Sequence, residues 1–316
     1  MLSALAATFA AGARLGPAPI RAAQMPSPVS FAMPSGACDC HVHVFGDPER
    51  YPFAAARTYT PGIASVGQLR DLHRALRIDR VVIVHPSVYG TDNTSMLDAL
   101  RQLGTRARGI AVIDDTIPDA SLAEMKSAGV RGIRVNLATA GVTDPNIGRE
   151  RFRAALERAR KLDWHVQVFT QLPIIEALRE DVLTAPVPVV FDHFGGARSA
   201  LGLGQPGFAV LLDLVGKGKA YVKVSAPYRV SNEQPEFPDV APLAKALIAA
   251  NADRILWGSD WPHPDTSVVA GRKPADVSPF LPIDDGRVLS QLALWAPDAA
   301  VRTKILVDNP KQLYAF

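Results

Sequence analysis

Ala37-Cys38-Asp39-Cys40-His41-Val42-His43-Val44-Phe45 is a short apolar run that carries two histidines one residue apart. In an extended strand alternate residues share a face, so the spacing aims both imidazoles into one space. Two imidazoles placed there bind a metal or polarise one carbonyl. A chance His-x-His with one structural ring is the plainer alternative, and the rest of the chain decides between them. Working outward, the run is the first of eight similar ones. The others are Arg80–His85, Ala107–Val112, Gly132–Asn136, His165–Phe169, Val187–Phe191, Ala220–Val224 and Arg254–Trp257. Between them lie amphipathic segments that read as helices. Asp92-Asn93-Thr94 and Asp119-Ala120-Ser121 open two of these. Arg151–Lys161 carries Phe152, Ala155, Leu156 and Ala159 at helical spacing, Pro173 suits a first turn, and Pro242–Ala250 and Val288–Leu294 complete the set. Eight β-α units over about 280 residues predict an α/β fold, a distorted (β/α)8 TIM barrel with C-terminal helices. No glycine-rich fingerprint follows the first strand, which counts against a nucleotide-binding doubly wound sheet.

The 316 residues are 48% hydrophobic and 21% charged, an ordinary globular balance that argues against disorder. A net charge of +3 without basic blocks gives no reason to expect nucleic acid as a partner. No apolar run has membrane-spanning length. Cys38 and Cys40 flank one residue of a single strand and read as buried small hydrophobes, so they leave the redox compartment undecided. Leu2–Gly12 is rich in Ala and Leu, and Pro17–Pro34 in Pro, Ala and Ser. That resembles the apolar part of an export signal with a linker, but it lacks a basic head. Residues 1–35 are therefore expected to form a signal-like or disordered extension and residues 36–316 the barrel domain. Cytoplasm and periplasm both remain open, as does assembly into a homo-oligomer.

In a (β/α)8 barrel functional groups collect at the C-terminal ends of the strands. His41 and His43 end strand 1, and Ser87 follows strand 2. Arg134 and Asn136 end strand 4, and Asp192-His193 ends strand 6. Ser225 and Arg229 follow strand 7. Asp260 follows strand 8 inside Trp257-Gly258-Ser259-Asp260-Trp261-Pro262-His263-Pro264. Alternation from His193 turns Asp192 to the opposite face of its strand, where it supports the fold. His73, His85 and His263 read as structural, and Trp257 and Trp261 as packing.

Asp39-x-His41-x-His43, Asp192-His193 and Trp257-Gly258-x-Asp260-Trp261-Pro262-His263 together resemble the amidohydrolase superfamily. More narrowly they resemble its branch of 2-pyrone-4,6-dicarboxylate lactonase, sulfomuconolactone hydrolase, galactarolactone isomerase and sugar lactonases. The likeness runs from about Gly36 to Tyr314. It includes Gly90-Thr91-Asp92-Asn93, Arg131–Asn136 and Asn309-Pro310-x-x-Leu313-Tyr314. The lactonase pattern falls on Tyr59, Ser87, Arg134, His193, Arg229 and Asp260 besides the first two histidines. It departs at Ala140 and Gly196, where that lactonase has arginines, and at Phe169, where it has tyrosine. Fewer anion-binding arginines fit a lactone with one carboxylate, or a sugar lactone, better than the pyrone dicarboxylate.

Opening a lactone needs a polarised carbonyl, a deprotonated water and a proton for the leaving oxygen. Asp260 is the expected base, with His41, His43 and His193 on the carbonyl. Arg134 and Arg229 are expected to hold a carboxylate through a planar fork, with Ser87 and Tyr59 as further substrate contacts. No Gly-x-Ser-x-Gly elbow surrounds Ser87, so it is not read as a nucleophile. Superfamily members with metal usually add a strand-5 histidine or a strand-4 lysine. This chain has neither at those strand tops, and the Arg134 guanidinium would repel a cation. The reading is a small-molecule lactone hydrolase without metal or other cofactor. The alternatives are a lactone isomerase and a zinc-dependent amidohydrolase or decarboxylase.

Overall fold

The computed structural model describes residues 25–267 and 269–316. Eight parallel strands follow one another around a barrel: Cys38–Val42, Arg80–Val84, Ala107–Ala111, Val130–Asn136, His165–Phe169, Val189–Phe191, Ala220–Ser225 and Ile255–Gly258, named strands 1 to 8 below. All eight expected strands are present, with bounds within two residues of those expected. Most of the connections are helices, among them α1 (Val66–Leu76), α2 (Thr94–Leu103), α3 (Asp119–Ser127) and α4 (Pro145–Leu162). Among the described residues no helix is long and apolar enough to cross a membrane.

Strand residues alternate between two apolar layers. Val81, Ile83, Val189, Phe191, Val222 and Trp257 pack outward against the helices. Cys38, Cys40, Val82, Val84, Ile110, Val190, Tyr221 and Leu256 fill the barrel interior, with Tyr314 of the last helix joining them. The two cysteines are free and buried there. His165 belongs to this lower layer, its ring 5.3 Å edge-on from Tyr314. Gly132, its ladder partner, leaves the room: a Cβ there would sit 2.6 Å from the His165 ring.

Strand 1 departs from regular alternation. Between Asp39 and Val42 it spends three steps where strand 2 spends two, from Val81 to Ile83. This bulge re-aims the side chains. Cys38 and Cys40 face the interior below it, and His41 and His43 face the interior above it. Asp39 instead turns away and accepts from the Ser259 backbone N–H (2.9 Å) and hydroxyl (2.5 Å).

Strand 1 meets the end of strand 8 through two backbone bonds. Asp260 N–H donates to His41 C=O, and His43 N–H donates to Trp261 C=O, each at 2.8 Å. The approach is so close that a Cβ on Gly258 would lie 2.7 Å from the His41 Cβ and 2.9 Å from its backbone nitrogen.

The domain boundary needs one correction. Residues 25–35, expected with the extension, pack on the barrel. Ser27 donates from backbone and hydroxyl to Asp284 (2.9 and 2.6 Å), and Val29, Phe31 and Met33 rest on the core. Covering this apolar surface is what fixes the segment. The signal-like stretch 1–24 lies outside the described residues.

Candidate active site

The barrel mouth collects the expected groups because strand ends and irregular turns deliver them. His41 and His43 come from the bulged end of strand 1. Arg134 points inward from strand 4. His193 follows strand 6 with φ 48°, the start of a left-handed run through Phe194, Gly195 and Gly196. Asp260 follows strand 8, also left-handed at φ 64°.

The Asp260 carboxylate is the centre, with no solvent exposure. Its Oδ1 lies 3.3 Å from His43 Nε2, 3.5 Å from His41 Nε2 and 3.8 Å from His193 Nε2. Its Oδ2 accepts from the Tyr228 hydroxyl (2.5 Å) and from Arg229 Nε (2.8 Å). Burial alone would raise its pKa, but Arg229 and the histidines hold it well below the usual carboxylate range. Asp260 is thus ionised throughout the neutral range.

Each ring is anchored from its far nitrogen. His43 Nδ1 donates to Val84 C=O (2.8 Å), and His193 Nδ1 meets the Ser225 hydroxyl (2.8 Å). His41 Nδ1 is 3.3 Å from Lys223 Nζ and 3.2 Å from Asp192 Oδ1. Burial pushes His193 down to about 4, with Asp260 opposing, and pushes His41 well below the ordinary imidazole value. His41 and His193 are therefore neutral near pH 7.

Arg134 is buried, donates to His85 C=O (3.0 Å), lies 3.9 Å from Asp192 and leaves its Nε unpartnered. Arg229 is engaged by Asp260 and by the Thr266 hydroxyl (3.1 Å). Tyr59 is buried beside Ser87, Arg134 and Arg229, and burial pushes its phenol up to about 12, so it is a hydrogen-bond donor. Ser87 lines a cavity of about 510 Å³ together with Arg134 and Asn136. A second cavity, of about 520 Å³, is lined by His193, Tyr228, Arg229, Phe169 and Arg198. The eight expected site residues thus gather around one mouth.

Sequence reasoning misplaced one group and missed three. Asp192 does not face away. It continues the inward series of Val190, and the left-handed backbone at His193 lets two successive side chains turn inward. Lys223, Gln167 and Tyr228 went unnamed. Lys223 is fully buried on strand 7, 3.3 Å from Asp192, and donates to Gln167 (2.6 Å), which donates to Asp192 (3.0 Å). The signal for Lys223 was present: a cation inside an apolar strand has no solvated explanation.

Among the described residues, His41, His43 and Asp260 bring together donor atoms of the kind that hold a divalent ion. His41 Nε2 and Asp260 Oδ1 are buried without hydrogen-bond partners, so the donor set fits such an ion where both Nε2 atoms carry lone pairs, and the ion would supply Lewis-acid polarisation of a carbonyl.

The chain is similar to known proteins over most of its length. The chain is 36% identical to 4-sulfomuconolactone hydrolase of Rhizobium radiobacter over 91% of its length and 93% of the relative's. It is 35% identical to 2-pyrone-4,6-dicarboxylate hydrolase of Comamonas testosteroni over 92% of its length and 93% of the relative's. A solved Pseudomonas putida structure, 35% identical, superposes with a TM-score of 0.73 over 90% of this chain and 98% of that one. The amidohydrolase family model matches residues 38–316, the whole barrel with its mouth, and the chain belongs to that family.

Proposed function

We propose that this protein hydrolyses a lactone bearing an anionic substituent, with Asp260 activating the water. The observation that carries the reading is the ionised, buried Asp260 carboxylate facing three imidazole Nε2 atoms at 3.3 to 3.8 Å. A water among these groups can lose a proton to Asp260 while its oxygen attacks the ring carbonyl carbon. The imidazoles stabilise the developing oxyanion, which is where preorganised donors contribute most. The acyl–oxygen bond of the ring then breaks, and the proton returns from Asp260 to the leaving oxygen. Ring opening yields a new carboxylate and one released proton.

The charge around the site supports an anionic substrate. Arg134, Arg229 and Lys223 surround the two carboxylates of Asp192 and Asp260, a surplus of one positive charge. A buried surplus is costly until a counter-charge arrives, and an anionic substituent supplies it. A divalent ion at the histidines would deepen the surplus instead. We therefore assign the reaction to these side chains without a metal. The two curated relatives support the substrate class, since both names describe hydrolases of anionic cyclic esters. Gly196, at φ 73°, has its Cβ position 2.3 Å from Thr170 C=O and cannot carry an anion-binding side chain. Arg134 has an unpartnered Nε for the substituent, and Arg229 is tied to Asp260.

The test is a panel of anionic lactones with their neutral esters, read by proton release near neutral pH, with and without a chelator and alongside metal analysis. Anionic lactones should be opened, and a chelator should leave the rate unchanged. Arg134→Met should raise KM for them more than ~10-fold, since a charge-assisted hydrogen bond is worth about 1.5–3 kcal/mol. Turnover that requires stoichiometric zinc would overturn the metal-free mechanism. Lactone conversion without proton release would identify an isomerase.

A further inference from the structure

Beneath the three imidazoles lies a polar layer that the hydrolytic scheme does not use. Lys223, Gln167 and Asp192, from strands 7, 5 and 6, are all fully buried. Lys223 Nζ donates to Gln167 Oε1 (2.6 Å), sits 3.3 Å from Asp192 Oδ1 and meets His41 Nδ1 at 3.3 Å. We propose that Lys223 is a positioning residue that sets the tautomer of His41, donating to Nδ1 so that the ring proton resides on Nε2 at the reacting centre. The inference rests on the lactone reading for its chemical purpose, not for its geometry.

His41 Nδ1 has two polar neighbours, and they demand opposite tautomers. Asp192 can only accept, which would place the proton on Nδ1. The Lys223 ammonium can only donate, which places it on Nε2. Only the Lys223 contact has hydrogen-bond alignment; Asp192 Oδ1, though 3.2 Å away, has no aligned partner. Asp192 instead serves as the counter-charge that lets an ammonium persist inside the barrel. His43 Nδ1 donates to Val84 C=O at 2.8 Å, and its Nε2 lies 3.3 Å from Asp260 Oδ1.

With that tautomer, His41 Nε2–H is turned to the reacting centre and can bond the developing oxyanion. The same assignment bears on metal. A pair of imidazole ligands needs two Nε2 lone pairs, and Lys223 removes one of them.

The first experiment is nitrogen NMR of the wild-type protein carrying ¹⁵N-histidine, with the His41 signals assigned by their loss in His41→Gln. A protonated Nε2 and an unprotonated Nδ1 are expected; the reverse pattern overturns the proposal. The second uses Lys223→Met, which keeps the stem and deletes the donor. His41 is then free to donate Nδ1–H to Asp192 and expose its Nε2 lone pair. The folded variant should lose at least ~10-fold in kcat with KM within about twofold, and should bind added zinc at least ~10-fold more tightly than wild type, the scale of effects from partners behind such rings. Unchanged kcat and zinc affinity would overturn the proposal. If the variant does not fold, the wild-type spectrum still decides. A lactone panel without ring opening removes the hydrolytic reading but leaves the tautomer measurement standing.

Discussion

Asp260 occupies left-handed backbone at φ 64°, and that determines which substitution is informative. Ala would add backbone strain to the loss of the carboxylate, whereas Asn tolerates this region and keeps the size. Asp260→Asn should lower kcat at least ~10²-fold, the lower end of what general-base catalysis contributes, with the circular-dichroism spectrum retained. Near wild-type kcat in the folded variant would return strand 8 to a structural role. Because Arg229 and the histidines hold Asp260 well below the usual range, its titration does not set the neutral pH profile. His193 is the next group, with its pKa pushed by burial down to about 4. It is neutral above that value and takes a proton as pH falls through it, placing a positive charge against Asp260 and weakening the base. The acid limb of kcat/KM should therefore lie near pH 4, not near the ordinary imidazole value; a limb above pH 6 in a pH–rate series would contradict this. At this scale the sequence was legible wherever residue type and strand end coincided, as for His41, His43, His193, Asp260 and Arg134. It failed at Asp192 because strict alternation was applied across a residue whose backbone leaves the β region.

At the scale of elements, the strands were legible from their β-branched runs, but the bulge in strand 1 was not. A one-residue register shift leaves no mark in hydrophobic pattern, since Cys38, Cys40, Val42 and Val44 read as a regular series. Helix α1 was readable in principle. Ser65 accepts from the Gln68 N–H and Gln68 reaches back to the Ser65 N–H, a capping box, with Val66, Leu69, His73 and Leu76 on the buried face. The close approach of strands 8 and 1 makes Gly258 a sensitive small residue of the site. Gly258→Ala forces His41 and its strand to move, because the new methyl meets backbone and not a flexible tip. It should lower the urea midpoint by the equivalent of about 1–3 kcal/mol. It should also cut kcat by up to ~10²-fold, since displacement of about 1 Å is enough to misplace a catalytic group. A variant with wild-type stability and rate would show that strand 1 can yield without disturbing the imidazoles.

At the scale of the whole molecule, the segment 25–35 belongs to the folded unit. A chain beginning at Gly36 should melt at least ~5 °C below one beginning at Met25, because it loses the Ser27–Asp284 bonds and exposes the surface under Val29, Phe31 and Met33. Equal melting temperatures would mean that this packing contributes nothing. The composition of the stretch, rich in Pro, Ala and Ser, hid its role, because only three apolar side chains, at alternate positions, rest on the core.

The seam between strands 1 and 8 carries a further consequence. Asp39 and Ser259, bonded across it, are 220 positions apart in the chain, and the bonds that align His41 and His43 with Asp260 cross the same junction. A partly synthesised chain holds the imidazoles from its earliest folded residues yet has no carboxylate to set between them. Contacts of such separation are also among the slowest to form. Activity therefore reports completion: a nascent chain released before strand 8 is catalytically silent, and amide exchange at His43 and Asp260 should follow opening of this junction before any other part of the barrel lets go.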